Sequence, residues 1–253
     1  GVPLELARWR SAQYRNIQYT LDLELQPGAT RLEGLIGIRV TVANPAEDLV
    51  LDWRGERAGE RVSGITVNGL PAFGVQFPTD HLVIPGALLS PGENRIAMRF
   101  QAPLGTPGAA ITRYTDREDG AEYLYTLFVP SDASTVFPCF DQPDLKARFT
   151  LNLTAPSDWK VIGNSPLIEA QVEGARLRHR FATSEPISTY LFTFATGPFI
   201  EFTEPGAQTP VRLFARRSRA ERMAREAGEL FRINRAAMNW YAGYFAHAFP
   251  FAK

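Results

Sequence analysis

Residues 16–25 read NIQYTLDLEL, in which Ile17, Tyr19, Leu21, Leu23 and Leu25 alternate with Gln18, Thr20, Asp22 and Glu24. A period of two with one apolar and one polar face is the pattern of a strand buried on one side and wet on the other. Working outward, shorter runs of the same kind occupy Gly34 to Val42, Leu49 to Trp53, Val62 to Val67, His81 to Ile84 and Asn94 to Phe100. Turn pairs such as Asn68-Gly69 and Pro91-Gly92 separate some of them. The first hundred residues therefore read as all β. Arg148 to Leu153 and Thr189 to Ala195 add two more strand signals. Many short strands with regular turns predict a mainly β fold, a sandwich or saddle of sheets.

The pattern changes after Gly206. A short strand over Val211 to Ala215 leads into the one strong helical signal, where Ser218 and Glu221 have the spacing of a capping box. Met223, Ala227, Leu230, Phe231, Asn234, Met238, Tyr241 and Phe245 then recur every three or four residues. A long amphipathic helix after so much β sequence predicts a second unit, with a boundary between residues 206 and 207. Its apolar stripe calls for a covering surface. Arg212, Arg216, Arg217, Arg219, Arg222 and Arg225 crowd the helix start, diluted by Glu221, Glu226 and Glu229, and read as a solvated face with Glu221 paired to Arg225.

The chain has 253 residues, enough for one large core and an appended piece, and its 27 basic and 27 acidic residues leave no net charge. That balance argues against a surface that tracks nucleic acid. No apolar run approaches the roughly 18–20 residues of a membrane span, and the start at Gly1 rather than Met suggests a leader removed before it. One cysteine excludes an internal disulfide, and Cys139, with no His near it in sequence, reads as a small buried hydrophobe. His81, His179 and His247 form no H-E-x-x-H pair, so neither a metal site nor a catalytic residue is predicted here. Nucleotide-binding glycine motifs and a G-x-S-x-G elbow are also missing.

The stretch TLFVPSDASTVFPCFDQPDLKARF, residues 126–149, concentrates Pro, Phe and Asp. Pro138 and Pro143 fix φ and push the residues before them toward extended backbone, while Asp141 can bond nearby amides. These three residues predict a rigid structural turn feeding a strand.

With those residues in view, GAEYLYTLFVPSDASTVFPCFDQPDLKARFTLNLTAPSDWKVIGNSP, from Gly120 to Pro166, resembles the N-terminal domain of zinc aminopeptidases of the aminopeptidase N family. Family members carry a YLYTQFEP-like run followed by a VFPCFDQPDLKA-like run. The likeness continues in EPISTYLFTFATGPF, in VRLFARRSRAERMAREAGELF and in NWYAGYFAHAFPFAK. It implies a saddle-like β domain followed by the opening of a thermolysin-like catalytic domain. The family's zinc ligands and general-base Glu lie beyond the point where these residues stop. The resemblance thus implies a fragment without zinc of its own and inactive alone, within a zinc-dependent parent that removes N-terminal residues from peptides. Its implied partners are the parent's remaining domains and a peptide substrate.

The resemblance also implies a site. In the family the T-Q-x-E-P stretch helps hold the substrate's free amino terminus, and the matching residues here are Leu127, Phe128, Val129 and Pro130. Leu127 replaces the Gln and Val129 the acidic or amide residue, so neither side chain accepts a hydrogen bond from an ammonium. Ser134 and Thr135 stand where relatives carry an Arg pair. The expectation is a divergent member forming one wall of the cleft, with altered recognition of the amino terminus. Two other readings compete: an inactive scaffold relative, and a free-standing β-sandwich binding module.

Overall fold

The alternation over residues 16–25 marks the middle of the molecule. In a computed structural model that describes residues 2–55, 58–204 and 211–249, strand β1 (Tyr14–Glu24) has Ile17, Tyr19, Leu21 and Leu23 buried and Thr20 and Glu24 exposed. It is preceded by α1 (Leu4–Gln13) and followed by β2 (Arg31–Val42), β3 (Leu49–Asp52), β4 (Val62–Val67), β5 (Leu70–Pro71) and β6 (His81–Ile84). Next come β7 (Gly92–Pro103), β8 (Ile111–Thr115), β9 (Glu122–Thr126), β10 (Arg148–Pro156) and β11 (Lys160–Gly163). The chain closes with β12 (Leu167–Glu173), β13 (Arg176–Phe181), β14 (Phe194–Gly197), β15 (Ile200–Thr203), β16 (Arg212–Ala215) and α2 (Ala220–Tyr244).

Eight strands form one open sheet in the order β12-β13-β10-β1-β2-β7-β4-β5. Its pairs are antiparallel except β1 with β10, where Tyr19 lies beside Phe149 and the two rings stack at 4.9 Å. A smaller sheet, β11-β14-β9-β8, and the ribbons β3–β6 and β15–β16 complete the β structure. The mainly β, unclosed architecture agrees with the sequence reading. One core joins the inward residues of the large sheet, such as Leu21, Ile36 and Met98, to Leu51 and Trp53 at the first ribbon and to Phe128, Phe137 and Phe140.

Two glycine positions follow from backbone and packing. Asn68 and Gly69 both have positive φ, 53° and 84°, which makes the predicted turn between β4 and β5. Gly34 sits under its neighbours on β1 and β7: a Cβ there would lie 2.6 Å from Phe100 Cζ and 2.8 Å from Leu23 Cδ2.

Several expectations need correction. The first hundred residues are not all β, because α1 precedes the first strand. The stretch Thr189 to Ala195 is a short 3-10 turn over Thr189–Leu191, and the strand begins only at Phe194. Ser218 does not cap α2: the capping position is Arg219, no side chain caps it, and the Ser218 hydroxyl donates to Asp116 at 2.7 Å instead. Among the described residues the ion pairs within α2 are Arg222 with Glu226 at 3.0 Å and Arg232 with Glu229 at 2.6 Å, rather than Glu221 with Arg225. The basic residues ahead of α2 are tethers more than a solvated face. Arg216 and Arg217 reach Asp116 and Asp119 at 2.9 Å each, and Arg219 pairs with Glu118, all three carboxylates lying in the β8–β9 connection.

The boundary expected between residues 206 and 207 lies outside the described residues. On either side of it, β15 pairs with β16, and α2 rests on this ribbon with Ala227 and Phe231 buried. Along the rest of its stripe, Leu230, Tyr241 and Phe245 are exposed.

The tether titrates. The Glu118 amide, then the Ser218 hydroxyl, with the Arg216 charge beside them, hold the Asp116 carboxyl below the ordinary value of 3.8. Asp119 is lowered in the same direction, first by the Ala121 amide. A carboxyl lowered in the folded state supports docking above its unfolded value and loses that support as pH falls through the folded one. The start of α2 is therefore expected to come loose below pH 3.8. The Arg217 amide, which donates to the Tyr123 hydroxyl at 2.9 Å, reports it by NMR. A transition centred above 3.8, or one unchanged in Asp116→Asn, would contradict this.

Candidate functional site

The segment after β9 is held at its base by Thr126, whose hydroxyl accepts the Phe194 amide at 3.0 Å and meets the Thr193 hydroxyl at 3.0 Å. From there the chain leaves the strand and enters a turn, closed by the Asp132 amide donating to the Phe128 carbonyl at 2.8 Å, and the side chains of residues 126–129 alternate between buried and exposed. Leu127 and Val129 point outward, 57% and 54% exposed, whereas Phe128 is 1% exposed. Phe128 packs edge-on to Phe137 at 5.8 Å and parallel to Phe192 at 6.4 Å, and Phe192 in turn stacks on Phe149 at 4.7 Å. Of the four residues singled out by resemblance, the structure thus presents Leu127, Val129 and Pro130 on the surface and puts the Phe128 side chain into the core. The Val129–Pro130 peptide is cis.

Beyond Pro130 the loop is clamped from the ribbon side by Arg54. Its Nε donates to the Ser134 hydroxyl at 2.7 Å, and its Nη2 donates to the Ser131 carbonyl and, at 3.1 Å, to Asp132. Ser134 is fully buried and receives this guanidinium. The Thr135 hydroxyl donates to the Asp132 carbonyl at 2.7 Å. Sequence reasoning missed Arg54, because nothing near it in sequence marks a partner eighty residues away.

The FPCFDQPD run forms the backing. Cys139 exchanges backbone hydrogen bonds with Asp52, at 2.8 and 3.1 Å, and the Phe140 amide donates to the Tyr19 hydroxyl at 2.9 Å. Asp141, 5% exposed, accepts from the Ser134 amide at 3.0 Å and from the Thr189 hydroxyl at 2.7 Å. Its own amide donates to Asp52 Oδ2 at 2.8 Å. Pro138 is buried; Pro143 is exposed, and its carbonyl accepts from Ser188 at 2.6 Å.

Asp52 is the hub of a buried charge network. It accepts both arms of Arg10, at 2.8 and 2.9 Å, and His81 Nδ1 lies 3.2 Å away. Arg10 is wholly buried, its guanidinium 5.9 Å from the Phe140 ring centre, so α1 is pinned to the same backing. Ser11 to Asp144 at 2.7 Å and Gln142 to the Ala7 carbonyl at 3.0 Å add to the attachment.

Cys139 is fully buried, and burial, with the Asp141 and Asp52 charges adding, pushes its thiol well above the ordinary value. Thiolate is the reactive form. A disulfide reagent is therefore expected to leave the native chain unlabelled and to titrate one thiol in denaturant. Prompt labelling of folded protein would show the packing to be wrong.

Among the described residues no group of three or more His, Cys, Asp or Glu is arranged to hold a metal, and no helix is long and apolar enough to cross a membrane. What the site offers is an apolar surface patch, Leu127, Val129 and Pro130, on a charge-stapled support.

Known proteins are similar to this chain in sequence. The chain is 30% identical over 257 residues to an aminopeptidase N of Streptomyces lividans, covering 98% of this chain and 28% of that protein. It is 28% identical to an aminopeptidase N of Acetobacter pasteurianus over 92% of this chain and 66% of the relative. A similar match, 28% identical, is aminopeptidase M1-D of Oryza sativa subsp. japonica, with 93% of this chain and 27% of the relative covered. The chain therefore spans about a quarter of the length of two of these proteins and about two thirds of the third. The family described as Peptidase M1 N-terminal domain matches residues 15–191. That match takes in most of the central strand, the residues at 127–130 and the FPCFDQPD run behind them, and so the chain belongs to the family of peptidase M1 N-terminal domains.

Proposed function

We propose that this chain serves as the noncatalytic N-terminal domain of a zinc-dependent aminopeptidase that trims N-terminal residues from peptides, with Leu127, Val129 and Pro130 forming part of a wall of its substrate cleft. The family membership supports the setting, and the outward-facing Leu127 and Val129 are the observation that carries the site. Residues 1–206 form the β domain in this reading, and residues 207–253 open the catalytic unit. The exposed Trp240, Tyr241, Tyr244 and Phe245 of α2 and its end are then covered by the remainder of that unit. Zinc finds no fitting donor set among the described residues: His81 lies beside an Asp52 already taken by Arg10, and His179 is buried beside Leu177 and Phe181. In this reading the catalytic unit would hold the ion, which would supply an activated water there.

Two apolar side chains in the strip predict weak capture of a free ammonium. A carboxylate at position 129 would supply a charge-assisted hydrogen bond of about 1.5–3 kcal/mol, about ten- to a hundredfold in affinity. In the whole peptidase, Val129→Glu is expected to raise kcat/KM for aminoacyl anilides by about that factor. An unchanged kcat/KM would remove position 129 from the amino-terminus subsite. A whole protein inactive with and without the substitution, yet holding its other domains together, would favour the scaffold reading.

A further inference from the structure

The turn that carries Leu127, Val129 and Pro130 is fixed at its two ends by different means. At the entry the Leu127 amide donates to the Ala110 carbonyl at 2.9 Å, and the Thr126 hydroxyl meets that of Thr193. Beyond the turn the chain is anchored in the core. The Ser134 amide donates to Asp141 at 3.0 Å, Asp141 accepts the Thr189 hydroxyl, and Cys139 pairs with Asp52. Between these anchors Val129 and Pro130 are exposed, and Ser131 and Asp132 are half-buried.

Among the described residues, Arg54 is the one side chain from outside this segment with a hydrogen bond or ion pair to Ser131 or Asp132. It stands two residues beyond β3, and its own start is fixed: the Arg54 amide donates to the Ser134 carbonyl at 2.9 Å. The Arg54 carbonyl accepts from Arg61, whose guanidinium lies 4.2 Å from the Trp53 ring centre. A guanidinium holds its donors in a rigid plane. Three acceptors, on residues 131, 132 and 134, therefore set the orientation of the turn as well as its distance from the ribbon.

We infer that Arg54 is a positioning residue for the peptide site: through Ser131 and Asp132 it sets the pose in which Leu127, Val129 and Pro130 meet substrate. The inference rests on the cleft-wall reading given above. Residues 134–141 keep their contacts to Asp52, Tyr19 and Thr189 without Arg54, so its loss frees the patch more than it unfolds the domain. A patch that binds substrate equally in the ground state and the transition state acts on KM and leaves kcat in place.

In the whole peptidase, Arg54→Met is expected to raise KM for aminoacyl anilides about threefold to tenfold, with kcat within about twofold, inside the range of coupling between neighbouring residues. Arg54→Lys keeps the charge but lacks the planar fork, and should fall between. In a Leu127→Ala, Val129→Ala background the Arg54→Met effect should vanish, because no patch is left to position. General loosening of the fold would act in that background too. In ¹⁵N NMR of this chain, Arg54→Met should displace the amides of Leu127, Val129, Ser131 and Asp132 and spare those of Cys139 and Asp141. Where Arg54→Met does not fold, Arg54→Lys decides by the same measures. Unmoved amides at these four positions, beside a peptidase in which Val129→Glu raises kcat/KM, would overturn this proposal and leave the cleft-wall reading standing. An Arg54→Met effect of full size in the double-alanine background would overturn it as well. Displaced amides with KM unchanged by Arg54→Met and kcat/KM unchanged by Val129→Glu would overturn both.

Discussion

Asp52→Ala is expected to destabilise the chain by about 3–5 kcal/mol, the usual cost of stranding one member of a buried ion pair. Arg10, fully buried, would keep its charge and lose both carboxylate bonds, while the Asp141 amide would lose its acceptor. For a domain of this size the melting temperature should fall by roughly 10 °C or more. Arg10→Met should show a large loss as well, because it leaves the Asp52 carboxylate short of its main partner. The double variant Arg10→Met with Asp52→Leu separates charge from hydrogen bonding. It should recover much of the loss, since an apolar pair of similar bulk often matches a buried salt bridge. A residual cost of about 1–3 kcal/mol should remain for the stranded Asp141 amide. Chemical denaturation of the three variants measures this, and a loss under 1 kcal/mol for Asp52→Ala would mean that the network is not structural.

Phe128→Ala should have an effect of comparable size, about 3–5 kcal/mol, because a large ring would leave a cavity among Phe137, Phe192 and their neighbours. Leu127→Ala and Val129→Ala, on the exposed side of the same strip, should each stay within about 0.5 kcal/mol. The contrast divides three consecutive residues into a structural one and its two surface neighbours. Equal losses at 127, 128 and 129 would show that the strip is not seated as described.

That division was not legible in the sequence. Thr126, Leu127, Phe128 and Val129 alternate in and out like any strand, yet three of the four are apolar, so the pattern carries no parity. In residues 16–25, by contrast, polar and apolar residues take turns, and every inward residue was identified. The Asn68-Gly69 turn and the length of α2 were legible for the same reason: each is written in local backbone chemistry. α1 was not. LELARWRSAQ has no apolar face and no side-chain cap, and it is kept in place by Arg10, Ser11 and the Ala7 carbonyl, whose partners are Asp52, Asp144 and Gln142. Ser218 failed in the opposite direction: its spacing to Glu221 promises a local cap, but a carboxylate a hundred residues earlier in the chain takes the hydroxyl.

By itself, then, the order of residues determined what depends on near neighbours: strand periodicity, turn positions, the stiff proline-flanked run, and enough motif to place the family. The tertiary structure alone decided which side chains of residues 127–130 reach solvent and where Arg10 and Arg54 find their partners. Those outcomes depend on electrostatic and packing contacts between residues far apart in the chain, and no local pattern encodes the partner of a buried charge.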